Sequence, residues 1–223
     1  RNLRDVILFP TMKSGKNYQD NGIRGDKLTK IRIKPDKKGK TFIMDSPVTS
    51  KFSGIHVGYA VIAGVKVKKE DGNLEKLKKE VLSGFKGLTT EDISKISTVK
   101  AYRDLFKGFG VDWHSRHPSL DALLRRIALK KGLYKVNTLV DAYNLAVIES
   151  KIALGAFDKD KFILPVELRF AEKGEEIVLL GEGDRTRIKQ EELVYADQAR
   201  VITLDMNYRD CDATKITEET QNV

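Results

Sequence analysis

The chain has 223 residues, of which 33% are charged and 40% apolar, with 41 Lys and Arg against 32 Asp and Glu and a formal charge of +9. That is enough apolar material for one real core. Apolar runs of about five residues exclude a membrane-spanning helix, and a single cysteine, Cys211, excludes a disulfide framework or a cysteine-based zinc site.

A reducing cytoplasm is the expected compartment. The opening Arg1-Asn2-Leu3-Arg4-Asp5 has neither an apolar leader core nor an initiating Met, so the sequence reads as a fragment of a longer chain. Its charge is uneven: residues 1–45 carry +7, residues 46–135 carry +9 and residues 136–223 carry −7. The split suggests one face that attracts polyanions such as RNA, against the plainer reading of a lysine-rich solvated surface.

Val6-Ile7-Leu8-Phe9, closed by Pro10, reads as a buried strand with no partner nearby. Residues 11–40 are polar, basic and Gly-rich, a linker with at most one edge strand at 28–33. Residues 55–67 are β-branched with period two and predict a strand; Gly58 and Gly64 within it suggest a bulge or a close backbone approach.

Asn73 is expected to cap a helix reaching about Phe85, with Leu74, Leu77, Val81 and Leu82 as its stripe. Thr90-Glu91-Asp92 opens a second helix that ends at Gly108 and Gly110, with Ile93, Ile96, Val99, Tyr102, Leu105 and Phe106 inward. A loop, Trp113 to Pro118, precedes a third, with Ser119 as cap and Leu120, Leu123, Leu124 and Ile127 inward. Arg125, Arg126, Lys130 and Lys131 form a basic run on and beyond its outer side, and Gly132 stops it. Asn137 caps a fourth helix, Thr138 to Lys151. Short strands follow at 166–171, 176–180, 193–196 and 201–204. A helical half followed by a β-rich half predicts an α+β fold with a mixed or antiparallel sheet.

The sequence carries no P-loop, no dinucleotide-binding turn, no His-Glu-x-x-His and no Gly-x-Ser-x-Gly. His114 and His117 flank Arg116 in the loop, where they suit phosphate contact, acid–base work or simply a surface loop beside a core Trp; no third metal ligand accompanies them. Asn137, Asp141 and Asn144 fall on one helix face, as a polar site or as a cap plus a solvated face. Arg209, Asp210, Thr214 and Thr217 follow the last strand, as a pocket wall or as turn chemistry. Cys211 reads as a small packed residue.

Five ordered stretches carry a resemblance. They are Asn137-Thr138-Leu139-Val140-Asp141-Ala142-Tyr143-Asn144-Leu145; Gly155-Ala156-Phe157-Asp158-Lys159-Asp160-Lys161; Val166-Glu167-Leu168-Arg169 with Gly174-Glu175; Glu192-Leu193-Val194-Tyr195-Ala196-Asp197; and Thr217-Glu218-Glu219-Thr220-Gln221-Asn222. Together they resemble the B3/4 domain of the phenylalanyl-tRNA synthetase beta subunit, with residues 42–135 looking more weakly like the start of its stand-alone relatives.

The resemblance implies an α+β domain with an editing site in a cleft between its B3 and B4 parts. In the beta subunit that site hydrolyses tyrosine wrongly esterified to phenylalanine tRNA. It implies a positioned water and groups for the amino acid's ammonium, with no metal and no activated protein nucleophile. This chain departs from the beta subunit in having Met206-Asn207-Tyr208-Arg209-Asp210 in place of a glycine-rich turn, so tyrosine specificity is not carried over. The carboxylate that the beta subunit uses just after "Thr-x-Asn" would lie beyond Val223.

Residues 1–13, Arg-Asn-Leu-Arg-Asp-Val-Ile-Leu-Phe-Pro-Thr-Met-Lys, resemble the C-terminal end of class II lysyl-tRNA synthetases. The joint expectation is a synthetase remnant at 1–13, a basic linker at 14–41 and a B3/4-like domain at 42–223. ATP and Mg would belong only to the upstream core, and a homodimer would form through upstream regions. Expected roles are catalytic for Asp141, Asp210 and Arg209, and substrate-binding for Asn137, Asn144, Thr214 and Thr217. The tRNA is expected to meet Lys30, Arg32, Lys34, Lys37, Lys38, Arg125, Arg126, Lys130 and Lys131. A non-catalytic tRNA- or protein-docking module is the alternative.

Overall fold

The computed structural model describes residues 41–206 and 208–223. The strand expected at residues 6–9, the linker and its edge strand, the synthetase remnant, and Lys30, Arg32, Lys34, Lys37 and Lys38 lie outside them.

A short strand, β1 (Phe42–Met44), leads into helix α1 (Ser46–Lys51), neither of which periodicity signals. Asp45 caps α1 by accepting the Ser46 N–H at 2.7 Å, and a proline sits in the first turn where no donor is needed. Helices α2 (Gly72–Ser83), α3 (Thr90–Lys95), α4 (Ser97–Gly108), α5 (Ser119–Ala128) and α6 (Thr138–Ser150) follow. Then come strands β2 (Val166–Phe170), β3 (Glu176–Val178), β4 (Arg185–Arg187), β5 (Leu193–Ala196), β6 (Val201–Leu204) and β7 (Arg209–Asp210). The fold is α+β, helical first and β-rich second.

Five strands form one mixed sheet in the order β1-β2-β5-β6-β7, with only β1 and β2 parallel; β3 and β4 form a separate hairpin. The sheet is buried on both faces. Leu193 and Tyr195 face α1 and α4 with Val48, Phe106, Phe109 and Leu168. Val194 and Ala196 face the β3–β4 hairpin with Ile177, Leu179 and Ile188. This is why β5 reads as an unbroken apolar run rather than an alternating one. A further core, centred on Leu74, Ile93, Val99, Leu120, Leu124, Leu145 and Ile148, holds the helices together.

Local expectations fail in instructive ways. Residues 55–67 do not form a strand: the segment is irregular, pairing through the isolated Ala63–Asn222 bridge, and Gly64 turns it at a φ of +71°. No atom crowds Gly64, so it serves a turn and not a close approach. Asp71, not Asn73, caps α2, accepting from the Asn73 and Leu74 N–H groups. The single helix expected from Thr90 is two, because Ile96 is extended (ψ 120°) and Ser97 starts a new helix in poor helix-forming sequence. Thr89 forms the capping box with Asp92, one residue before the expected start. Pro118 occupies the cap of α5, and the buried Ser119 hydroxyl has no hydrogen-bond partner among the described residues.

Candidate functional site

Four residues stand in register across the sheet: Leu168 opposite Tyr195, Tyr195 opposite Thr203, and Thr203 opposite Asp210. Opposed residues share a face, so Asp210 continues the aromatic layer that the sheet presents to the helices. Its Oδ1 is shielded from solvent and has no hydrogen-bond partner among the described residues. Burial pushes its carboxyl up to about 6, and the neighbouring Thr203 hydroxyl opposes that by favouring the charged form. The same charge reaches Tyr143 of α6: burial first, then Asp210 and Asp141, drive its phenol well above the usual range. Tyr195 is raised by burial first, with Tyr102 and Asp210 adding to it. On the sequence alone, neither tyrosine is assigned a role in the site.

Arg209 precedes Asp210 on β7 and, by strand alternation, leaves from the other face. Its guanidinium bonds Glu182 Oε1 at 2.6 Å and the Leu180 carbonyl at 3.3 Å. Asp141 is buried inside α6, where Oδ2 takes Lys78 Nζ at 2.8 Å and Oδ1 accepts the Val136 N–H at 2.9 Å. Both oxygens are therefore committed, and the polar face expected to lie opposite the apolar stripe is instead closed at Asp141 and Asn137. Asn137 caps α6 through the Val140 N–H and donates to the Ile216 carbonyl. Asn144 is half-buried. Thr214 is buried and donates to the Cys211 carbonyl at 3.4 Å; Thr217 sits in a turn, accepting from the Glu219 N–H. The arrangement thus groups Tyr143, Tyr195, Thr203 and Asp210 and sends Arg209 to the other face of the sheet, while Asp141, whose charge reaches Tyr143, is committed to Lys78 and the Val136 N–H.

The Gly155-to-Lys161 and Thr217-to-Asn222 stretches lock onto each other. Thr220 donates its hydroxyl to Asp158 Oδ2 at 2.8 Å and accepts the Thr217 N–H at 3.0 Å, while Asn222 donates to Asp160 Oδ2 at 2.8 Å. Asp158 also accepts the Asp160 N–H, and both Asp158 and Thr220 are buried. Replacing Thr220 with Val removes a donor from a buried carboxylate and should lower stability by about 2 kcal/mol. Urea unfolding measures it, and a midpoint equal to that of the parent protein would contradict the assignment.

The loop before α5 is tied down as well. Arg116 bonds Glu192 at 2.6 Å and Asp205 at 2.8 Å, so its charge is spent inside the protein. His117 Nδ1 lies 2.8 Å from the Trp113 carbonyl, and His114 stacks on Trp113. Asp205 and Met206 adopt φ values of 48° and 52°, in the left-handed region that favours glycine. Such left-handed backbone costs about 1–2 kcal/mol per residue, and the Arg116 bridge to Asp205 holds the turn. Burial raises the Asp205 carboxyl, against the pull of Arg116.

Arg125 is paired with Asp121 at 2.9 Å, and Arg126 lies 3.7 Å from the Tyr134 ring centre. Lys130 and Lys131 are exposed and have no ion-pair partner among the described residues. On the hairpin side of the sheet a groove of about 400 Å³ is lined in part by Glu175, Ile177, Arg185, Arg200 and Cys211, and by none of the residues assigned a role. Among the described residues no group of three His, Cys, Asp or Glu side chains could hold a metal ion, and no helix is long and apolar enough to cross a membrane.

Fold and site together define an α+β domain closed by interlocked turns; two buried carboxyl oxygens, Asp205 Oδ1 and Asp210 Oδ1, have no hydrogen-bond partner among the described residues, and the charge of Asp210 reaches two tyrosines. A family model described as the B3/4 domain matches residues 101–223, more than half of the chain, and the chain belongs to that family. It is similar to the phenylalanine–tRNA ligase beta subunit of Haemophilus ducreyi (32% identical over 92 residues, 41% of this chain and 11% of that protein). It is likewise similar to that of Synechocystis (37% over 116 residues, 48% and 14%). The chain therefore spans only a small part of the curated relatives it matches. Among solved structures it is similar to an N-terminal fragment of the phenylalanyl-tRNA synthetase beta subunit from Pyrococcus horikoshii, with a TM-score of 0.39 and 15% identity, covering 86% of this chain and 44% of that one.

Proposed function

We propose that this B3/4 domain binds the aminoacylated 3′ end of a tRNA and hydrolyses a mischarged ester. We further propose that it is the C-terminal part of a cytoplasmic lysyl-tRNA synthetase-like protein. The synthetase reading rests on residues 1–13; by it, ATP and Mg act only in an upstream core, and that core carries any dimer contact.

The observation that carries the hydrolytic reading is the Asp210 carboxyl, with Oδ1 buried and unpartnered beside Tyr143, Tyr195 and Thr203. A buried acceptor without a donor is costly, and a water or a substrate ammonium supplies one. A carboxyl raised to about 6 is still mainly ionised at neutral pH, yet basic enough to take a proton. In the proposed step water attacks the ester carbonyl carbon while Asp210 accepts its proton. The bond to the ribose oxygen then breaks, and the proton passes to that oxygen to give free tRNA and amino acid. Asp141 acts through structure, since Lys78 and the Val136 N–H occupy it.

The full chain, incubated with lysine tRNA charged with a near-cognate amino acid, should shorten the ester's half-life well below that in buffer. Retained tRNA binding with an unchanged half-life would leave the docking-module reading in its place.

A further inference from the structure

Three of the exposed large apolar side chains among the described residues lie within eight residues of chain after α5: Leu129 (58% exposed), Tyr134 (49%) and Val136 (51%). Scattered apolar residues on a surface need no explanation, but this loop is built to hold its ring out. Arg126 packs 3.7 Å from the Tyr134 ring centre, while its Nε donates to the Gly132 carbonyl at 3.2 Å and its Nη2 reaches the Lys131 carbonyl at 3.5 Å. From inside, Lys78 reaches the Tyr134 carbonyl at 3.4 Å, and Asp141 accepts the Val136 N–H at 2.9 Å. The buried Lys78–Asp141 pair is thus the peg on which the loop hangs. Lys130 and Lys131 lie exposed beside it.

We propose that Tyr134, backed by Arg126, is a stacking platform for one unpaired RNA base, with Lys130 and Lys131 taking the adjoining phosphates. This rests on the tRNA-binding reading and adds to it a named contact and the kind of RNA it takes. A planar ring fixed by a guanidinium offers a base a surface without further ordering, and cation–π contact strengthens it. The charge around the ring decides the occupant. Arg126, Lys130 and Lys131 carry one sign, and the acids around the loop are each paired: Asp121 with Arg103 and Arg125, Glu75 and Asp141 with Lys78, and Glu70 with Lys135. That field complements a phosphate backbone, and an unpaired base exposes the face that a ring can stack on.

The test uses the full chain with an intact tRNA and with a single-stranded RNA oligonucleotide containing 2-aminopurine, titrated at several salt concentrations. Tyr134→Ala should weaken oligonucleotide binding about five- to a hundredfold and abolish the stacking quench. Tyr134→Phe should stay within about twofold of the parent protein. Lys130→Gln and Lys131→Gln should each reduce the slope of log affinity against log salt by about 0.7, while Tyr134→Ala leaves it unchanged. Equal RNA affinity for Tyr134→Ala and the parent overturns the platform. So does a Phe variant as weak as the Ala one, or a Tyr134→Ala defect seen only with anionic vesicles or a protein partner. If the parent binds tRNA and Tyr134→Ala binds it equally, the platform alone falls. If the parent binds no tRNA even at low salt, the tRNA reading falls with it.

Discussion

Asp210→Asn should cut deacylation by two to four orders of magnitude, the range that a positioned proton acceptor contributes, while making the protein more stable at neutral pH. Burial holds this carboxyl at about 6 against an ordinary 3.8. Above pH 6 the native state carries a buried charge that the unfolded chain carries in water, and the cost is fully expressed. As pH falls through 6 the native state takes up its proton and the cost fades. Below 3.8 both states are protonated and nothing remains of it. A shift of this size corresponds to about 3 kcal/mol. The stabilisation by Asn should therefore approach that figure at pH 8 and vanish near pH 4. Deacylation by the parent protein should decline as pH drops through about 6. Urea unfolding across pH 4–8, alongside single-turnover deacylation, reads both. A variant that keeps full activity, or that is destabilised at pH 8, would show that Asp210 is structural.

Asp141→Ala should cost about 3–5 kcal/mol, enough to threaten folding in a domain of ordinary stability. The carboxylate is 3% exposed and its partner Lys78 8%. Removing it strands an ammonium left with Glu75 and one carbonyl, and leaves the Val136 N–H unpaired. A Lys78→Met/Asp141→Leu pair removes both charges together and should recover a large part of the loss. Denaturant midpoints of the two single variants and the double variant test the point. If Asp141→Ala unfolds like the parent protein yet fails in deacylation, Asp141 belongs to the chemistry after all.

Where local chemistry decides the structure, the sequence could be read. Asn137 announces α6 because a capping amide does its work within four residues, and β5 and β6 show as apolar runs because both faces of the sheet are covered. Residues 55–67 alternate like a strand, yet alternation describes only half of a pair, and their partner is residues 221–223. The site was harder for the same reason. Tyr143 and Tyr195 gain meaning from the register that sets Tyr195, Thr203 and Asp210 in one row, which spacing along the chain does not reveal. Arg209 and Asp210 were read as neighbours in one pocket. Strand alternation would have separated them had β7, two residues long, been foreseen. Asp158 and Asp160 were visible as marks of a family, but their work as fasteners depends on Thr220 and Asn222, far along the chain.

That distance has a consequence for how the protein is made. Asp158 waits for a hydroxyl 62 positions downstream, and Ile62 waits for Val223, which it meets through two backbone hydrogen bonds. A ribosome delivers the helices first, and they can begin to associate through their own contacts. The seam that draws residues 62–65 and 158–160 together can be sewn only once residues 217–223 have cleared the exit tunnel. Contacts of such long sequence separation form slowly, so the nascent domain passes through a stage in which its helices are assembled and its β-rich half still hangs open.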